Sequence, residues 1–266
     1  MTSVNTNIGA ILAQKFLRIN AAEMNVTQNR VSSGLRVATV TDDASSFAVA
    51  AGIRGDIKGY TAVAAALQGG VVAGTVAVSA GEQISSRMGD IKAKLVQLSD
   101  ESLSSASRNT YNSDLASMVT EVNGYLAQAQ YTGRNLLGSG GGDILIVSNI
   151  DGSTVSLRNN DVTDLSLGTI TNNGVAQAAL SNLAVFKSSL DTALANLGAD
   201  LTRIKSQTEF VKQTEETVRI GLGALVDADL ARESAQLSAN QVRQQLGVQA
   251  IGIANQQPQT LLGLFR

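Results

Sequence analysis

Histidine, cysteine and tryptophan are absent from this chain, and proline occurs once, at Pro258. Without cysteine there can be no disulfide, no thiolate nucleophile and no zinc site of the four-cysteine kind. Without histidine the commonest general base is missing, and with it the Ser–His and Cys–His nucleophile systems. Aromatic residues make up only 3% of the 266 positions, so a core must be packed from leucine, isoleucine, valine and alanine, as between long helices. Charge is nearly balanced, with 20 basic and 22 acidic side chains. No Lys/Arg block forms, which removes the electrostatic footprint of a nucleic-acid binder. The opening stretch MTSVNTNIGAILAQKF has neither the basic start nor the apolar run of a secretory signal. No apolar stretch reaches the ~18–20 residues of a membrane span, so no membrane insertion is expected.

The carboxylates offer no reaction centre. Asp42 and Asp43 stand together just before an apolar periodic segment, where Thr41 is placed to cap a helix and the two acids suit the positive end of its dipole. Asp227 and Asp229 similarly announce a last helix. SSGLR and GSGGG contain glycines but match no phosphate-cradling loop. No catalytic, cofactor-binding or metal residue is assigned, and no enzymatic activity is expected.

What the chain does have is heptad spacing. Leu190, Leu197, Ile204, Val211, Val218 and Leu225 fall seven apart, and Leu194, Leu201 and Leu222 fill the positions four residues on. Thr208 and Glu215 are the polar interruptions. This predicts one helix from about Val175 to Leu225, about 75 Å long at 1.5 Å per residue. A second stripe runs through Tyr111, Leu115, Met118, Val122, Tyr125 and Ala129. A third holds Ile84, Met88, Ile91, Leu95 and Leu98, with Ile57, Ala64, Val71 and Val78 before it. Inside the third, QGGVVAGTVAVSAG taken alone resembles a strand; the heptad phase running through it predicts helix.

The ends carry thinner stripes. Ile8, Leu12, Ile19 and Val26 mark the first, with Gly34 able to stop that helix; Ala239, Val242, Leu246 and Ile253 mark the last. Both are rich in small and polar residues and neither suits a helix alone in water. Between the second and third long helices, GSGGGDILIVSNIDGSTVSLRNNDVTDLSLGTI alternates apolar and polar residues, and Asp151-Gly152 is a hairpin turn signal. The fold class expected is all-α dominated: an elongated coiled-coil bundle with a small β-hairpin excursion and paired termini. Thin terminal stripes leave apolar faces that two helices cannot cover, the mark of a partner surface. A head-to-tail contact that does not close builds a helical filament.

Both ends resemble bacterial flagellin. At the N-terminus the resemblance rests on Asn5-Thr6-Asn7, Arg30, the run Ser32-Ser33-Gly34-Leu35-Arg36 and Asp42-Asp43-Ala44. At the C-terminus it rests on Asp227-Ala228-Asp229, Ala254-Asn255-Gln256, Pro258-Gln259 and the closing leucine-rich run with Arg266. YTGRNLLG, Tyr131 to Gly138, is similar to the segment that ends the second long helix of the family's core domain.

The resemblance implies a structural subunit of the motility filament, with residues 1–36 and 227–266 as an inner coiled-coil domain lining the channel. Residues 37–226 would form the outer core domain, with a β region at about 139–174 and no large variable outer domain. Polymerisation contacts are expected at Ile8, Leu12, Ile19, Val26, Ala239, Val242, Leu246, Ile253, Leu261, Leu262, Leu264 and Phe265, and Pro258 is expected to end or kink the last helix near Gln256–Gln257. Arg36, Thr41, Asp42 and Asp43 would form the spoke and the start of the second helix. Implied partners are further copies, other flagellins, hook-associated junction and cap proteins, and the flagellar export chaperone and apparatus. Export without a cleaved signal, nearly unfolded, is implied, with terminal segments that fold on assembly. ISSRMGDIKAKLVQL aligns with the segment that innate immune receptors read in many flagellins; Arg87, Asp90 and Ile91 keep that pattern. Gly89 stands where a second arginine is usual, which implies weakened receptor recognition. A hook–filament junction protein has the same terminal architecture but usually carries proline after its paired aspartates, where this chain has Ala44. A soluble coiled-coil adaptor, from a different class, would instead form a discrete oligomer with ordered termini.

Overall fold

The computed structural model describes residues 6–263, with side chains described as far as Gln256. Five helices and four short strands follow in the order α1 (Ile8–Ser33), α2 (Ala44–Leu98), α3 (Ser105–Gln128), β1 (Gln130–Tyr131), β2 (Arg134–Asn135), β3 (Ile144–Val147), β4 (Thr154–Leu157), α4 (Asn173–Val226) and α5 (Leu230–Gly263). The chain divides into two compact units, one of residues 1–55 with 217–266 and one of residues 56–216. The boundaries lie beyond the expected 36/37 and 226/227. The reason is a small cluster in which Val37, Ala50 and Val226 are buried with Phe47, Leu222 and Leu225 packed against them, binding the first turns of α2 and the last of α4 to the terminal unit.

In the unit of residues 56–216, the three predicted stripes meet in one core. Ile84, Ile91, Leu95 and Leu98 of α2, Leu115 and Val122 of α3, and Leu190, Leu197, Ile204 and Val211 of α4 are all buried there. Full burial of each such side chain stabilises by roughly 1.5–3 kcal/mol relative to exposure. Thr208, the polar interruption, is buried but satisfied, its hydroxyl donating to the Ile204 carbonyl one turn back at 2.8 Å. α2 and α3 run antiparallel, tied by Arg87 to Glu121 at 2.9 Å and Lys94 to Asp114 at 3.2 Å.

The ambiguous glycine-rich stretch is helical within α2. Its glycines allow close approach: a Cβ on Gly81 would lie 2.5 Å from Leu194 Cδ2, and one on Gly74 2.6 Å from Leu201 Cδ2. Leucine side chains of α4 occupy the missing Cβ positions, which offsets the helix penalty of glycine. This stretch also corrects the expectation about apolar runs, because α2 contains a window long and apolar enough to cross a membrane by length and composition. Thr, Ser and Gln break the run without adding charge, and the window's packing face is covered by α4 and the β excursion.

Gly89 is different, for nothing lies within 4 Å of where its Cβ would be. Gly89→Ala should therefore raise the unfolding free energy by about 0.5–1 kcal/mol. Gly81→Ala, which must displace Leu194, should not. Denaturant unfolding of the two variants checks the contrast; equal gains would show that the close packing at Gly81 is not constraining.

The β excursion is a hairpin of β3 and β4 paired antiparallel, Ile144 opposite Leu157 and Val147 opposite Thr154. Its turn is longer than Asp151-Gly152 suggested. Ser148 N–H donates to the Ser153 carbonyl at 2.7 Å and Gly152 N–H to Asn149 at 3.2 Å, so the four-residue turn is Asn149–Gly152. Ile150 reaches back against Gly59, which fixes the larger loop. A second hairpin, β1–β2, lies before the expected β region and turns at Thr132-Gly133, both with positive φ (49° and 80°). Thr-Gly in YTGRN is not one of the Asn-Gly or Asp-Gly pairs that announce such a turn, and a β-branched residue at positive φ is uncommon, so the sequence carries little signal for it.

The irregular stretch after β4 is held by amides. Asn123 accepts from Leu165 N–H at 2.9 Å and donates to its carbonyl at 3.0 Å; Asn112 does the same to Ile170 at 2.9 and 3.1 Å. At the end of β4, Arg158 grips buried Asp200 of α4 through Nε and Nη2, each at 3.0 Å, and through its backbone N–H at 3.1 Å. Burial alone would raise the Asp200 carboxyl. The hydrogen bonds and charge of Arg158, with Arg203 nearby, outweigh it and hold the group below the usual carboxylate range. A depressed folded-state pKa contributes stability that is present above the unfolded value, about 3.9, and is lost as pH falls through the folded value. Melting temperature should therefore fall below about pH 4, and more gently in Asp200→Asn. Parallel acid melts of both proteins test this.

Candidate assembly surface

The terminal unit is built on α1 and α5, which pair antiparallel. Asn7 Nδ2 donates to the Ala254 carbonyl at 2.7 Å, Asn20 Nδ2 to the Asn240 carbonyl at 2.8 Å, and Arg30 meets Glu233 at 3.3 Å. Asn7 caps α1 by accepting from Ala10 N–H at 3.0 Å, and Gly34 ends it in the left-handed region at φ 71°, as its sequence position suggested. Arg36, in the connection to α2, donates from Nη2 to the Leu225 carbonyl at 2.6 Å. Beside it, Ala228 N–H bonds to Gly34 O at 2.9 Å and Arg36 N–H to Val226 O at 2.7 Å.

The start of α2 departs from expectation in one residue. Asp43, rather than Thr41, caps it: Oδ1 accepts from Ser45 and Ser46 N–H at 3.1 Å each, and Oδ2 from the Ser46 hydroxyl at 2.6 Å. Thr41 lies too early and bonds Thr39 Oγ1 at 2.7 Å instead. Asp42 staples the preceding turn, accepting from Ala38 and Thr39 N–H at 3.0 and 2.8 Å. These bonds, from Thr39 to Asp42 and from Ser46 to Asp43, hold both carboxyls below the usual range. The pair is a local brace, with no open coordination or proton-transfer geometry. Among the described residues, no three Asp or Glu side chains gather as for a metal ion.

The face that α1 turns to α5 is not the predicted stripe. It carries Ala13, Leu17, Asn20, Met24, Thr27 and Val31, buried or half-buried, and α5 meets it with Leu237, Asn240, Gln244, Gly247 and Ile251. Ile8, Leu12, Ile19, Val26, Ala239, Val242, Leu246 and Ile253 all remain exposed. Ile8 is 66% exposed, Ile19 46%, Leu246 58% and Ile253 67%. Ile11 and Phe16 add to the exposed apolar surface of α1. Each terminal helix thus sets Leu17, Met24 and Val31, or Leu237 and Ile251, among small and polar residues against its partner and leaves a second apolar stripe in solvent.

α5 continues through Pro258 to Gly263, so the expected end near Gln256–Gln257 is not found. Proline costs a helix the N–H bond to the residue four back and a steric clash. Here Ala254, four back, receives its hydrogen bond from Asn7. Leu264 and Phe265 lie outside the described residues, and the side chains of Leu261 and Leu262 do too. In the other unit, Arg87 and Asp90 are solvent-accessible, 3.5 Å apart, and Gly89 is open, but Ile91 is buried in the core and is unavailable to a surface contact.

Comparison with known proteins follows this map. The bacterial flagellin N-terminal helical region matches residues 4–140, and the bacterial flagellin C-terminal helical region matches residues 186–265. Flagellin FljO of Caulobacter vibrioides is 34% identical over 271 residues, covering 100% of this chain and 99% of the relative. The flagellin of Brucella melitensis is 36% identical over 286 residues, covering 100% of both. Among solved structures, Bacillus cereus flagellin aligns with a TM-score of 0.49 and 16% identity, over 54% of this chain and 86% of that one.

Proposed function

Because the chain belongs to the bacterial flagellin family, we propose that the exposed apolar stripes of α1 and α5 are the contacts through which its copies add to a growing filament. The protein is a structural subunit of the extracellular flagellar filament, a helical polymer used for motility. The observation that supports the terminal contacts is the split face of each helix, because exposed apolar patches of this kind mark protein partners. The terminal unit then supplies the inner layer around the channel, with Leu261, Leu262, Leu264 and Phe265 as further contacts there. No part of the chain is assigned a catalytic role.

The same reading extends to partners and route. The subunit leaves the cell through the flagellar export apparatus with its chaperone, and meets the junction and cap proteins at the two ends of the filament. Gly89 weakens recognition by innate receptors. Gly89→Arg should raise receptor signalling by purified monomer; robust signalling by the unaltered chain would count against this.

Seeded polymerisation tests the central reading. Purified chain added to short filament fragments should elongate them to micrometre lengths, visible by electron microscopy. Addition that stops after a few subunits would indicate a terminating junction component instead.

A further inference from the structure

The α1–α5 seam mixes Leu17, Met24, Val31, Leu237 and Ile251 with small and polar residues, and the residues most deeply buried in it are Asn20, Thr27 and Asn240. Polar groups at the seam positions of a helix pair specify its register. One of them does two things at once. Asn7 Oδ1 accepts from Ala10 N–H at 3.0 Å, capping α1, while Nδ2 donates to the Ala254 carbonyl at 2.7 Å. In an uninterrupted helix that carbonyl would accept from the N–H of residue 258. Residue 258 is the chain's single proline and has no N–H.

We propose that Asn7 is a register-setting residue of the terminal helix pair, recognising through its amide the carbonyl that Pro258 leaves unpaired. Along α5 the ordinary helical carbonyls are already engaged by the backbone four residues on, so a side-chain donor such as Asn20 at Asn240 must share its acceptor. Ala254 offers a carbonyl with no N–H four residues on to share it, and a one-turn slip carries Asn7 away from it. Pro258 thus acts as an address on the last helix, and Asn7 as the group that reads it. Only a carboxamide serves both ends of the contact. A carboxylate would cap α1 as well as or better than an amide, since the helix dipole favours it, but it has no hydrogen to give Ala254.

The test is a double-mutant cycle on the critical concentration for seeded polymerisation of the full chain, and it rests on the terminal pair's forming in the filament. Asn7→Asp should raise the critical concentration roughly tenfold, the loss expected for a hydrogen bond whose acceptor is then faced by a charge. In the Pro258→Ala background, where residue 258 supplies its own N–H, the same substitution should change it less than about twofold. Sulfate, which strengthens apolar burial, brings weakly assembling variants into the measurable range. Asn7→Ser, which keeps a capping acceptor but shortens the reach, should follow Asn7→Asp. Equal penalties in the two backgrounds, or no penalty in either, would overturn the proposal. If charging Leu246 leaves assembly intact while the Asn7 cycle still couples, the apolar stripes are not the polymer contacts and the register role stands.

Discussion

Leu246→Asp should leave the melting of the isolated chain unchanged and abolish filament growth. Leu246 is more than half exposed, so in the monomer the substitution exchanges one solvated side chain for another, and surface changes of this kind shift stability by about 0.5 kcal/mol or less. In a filament the stripe would be buried in every subunit. A carboxylate taken out of water without a partner costs several kcal/mol at each contact. At about 1.4 kcal/mol per tenfold, the critical concentration should rise by at least a hundredfold. Ile19→Asp on α1 should behave alike, because it too is exposed outside the α1–α5 seam. Circular dichroism melts and pelleting of seeded polymer measure the two halves. Normal filaments from either variant would remove that helix from the contact.

Leu197→Ala should do the reverse, unfolding the chain more easily without touching any exposed surface. Leu197 is fully buried, in a heptad position continuous with Leu190 and Ile204. Truncating a buried leucine loses its transfer free energy and leaves a cavity, together costing about 2–5 kcal/mol. The close seats of Leu194 and Leu201 over Gly81 and Gly74 leave the neighbouring helices little freedom to collapse into the gap, which places the expected loss at about 3–4 kcal/mol within that range. The denaturant midpoint reports it; a loss under about 1 kcal/mol would show that the core repacks freely.

These two leucines also explain how much the sequence disclosed. Heptad spacing reports which side chains are finally hidden from water, without saying which neighbour hides them. For Leu190 to Val211 the neighbour belongs to the same chain, and the predicted helix coincides with α4 within a few residues. For Leu246 and Ile19 the same spacing marks a face that the chain leaves open, while the intramolecular seam sets Leu17, Met24 and Val31 seven apart around buried Asn20 and Thr27, a signal diluted by those polar residues. The hairpin was legible from alternation, but its turn length was set by Ile150 packing on Gly59, a contact distant in sequence. Thr41 and Asp43 are both good capping residues two positions apart, and only the observed bonds separate them. The amide clamps of Asn112 and Asn123 were out of reach for the same reason: asparagine on a helix surface looks ordinary until a backbone segment lies against it.

The hairpin turn has one further consequence, for chain insertion. Ser148 and Ser153 are held together by a backbone bond of 2.7 Å, so the two ends of the Asn149–Gly152 turn leave the fold side by side. Loop-closure entropy rises only logarithmically, by about 0.6 kcal/mol for each doubling of length. A peptide epitope or compact module with adjacent termini, spliced between Asp151 and Gly152, would therefore leave Ile150 on Gly59 and burden the fold only slightly. Because every subunit carries the same turn, a filament of such chains would present its cargo as a regular lattice with one copy per subunit.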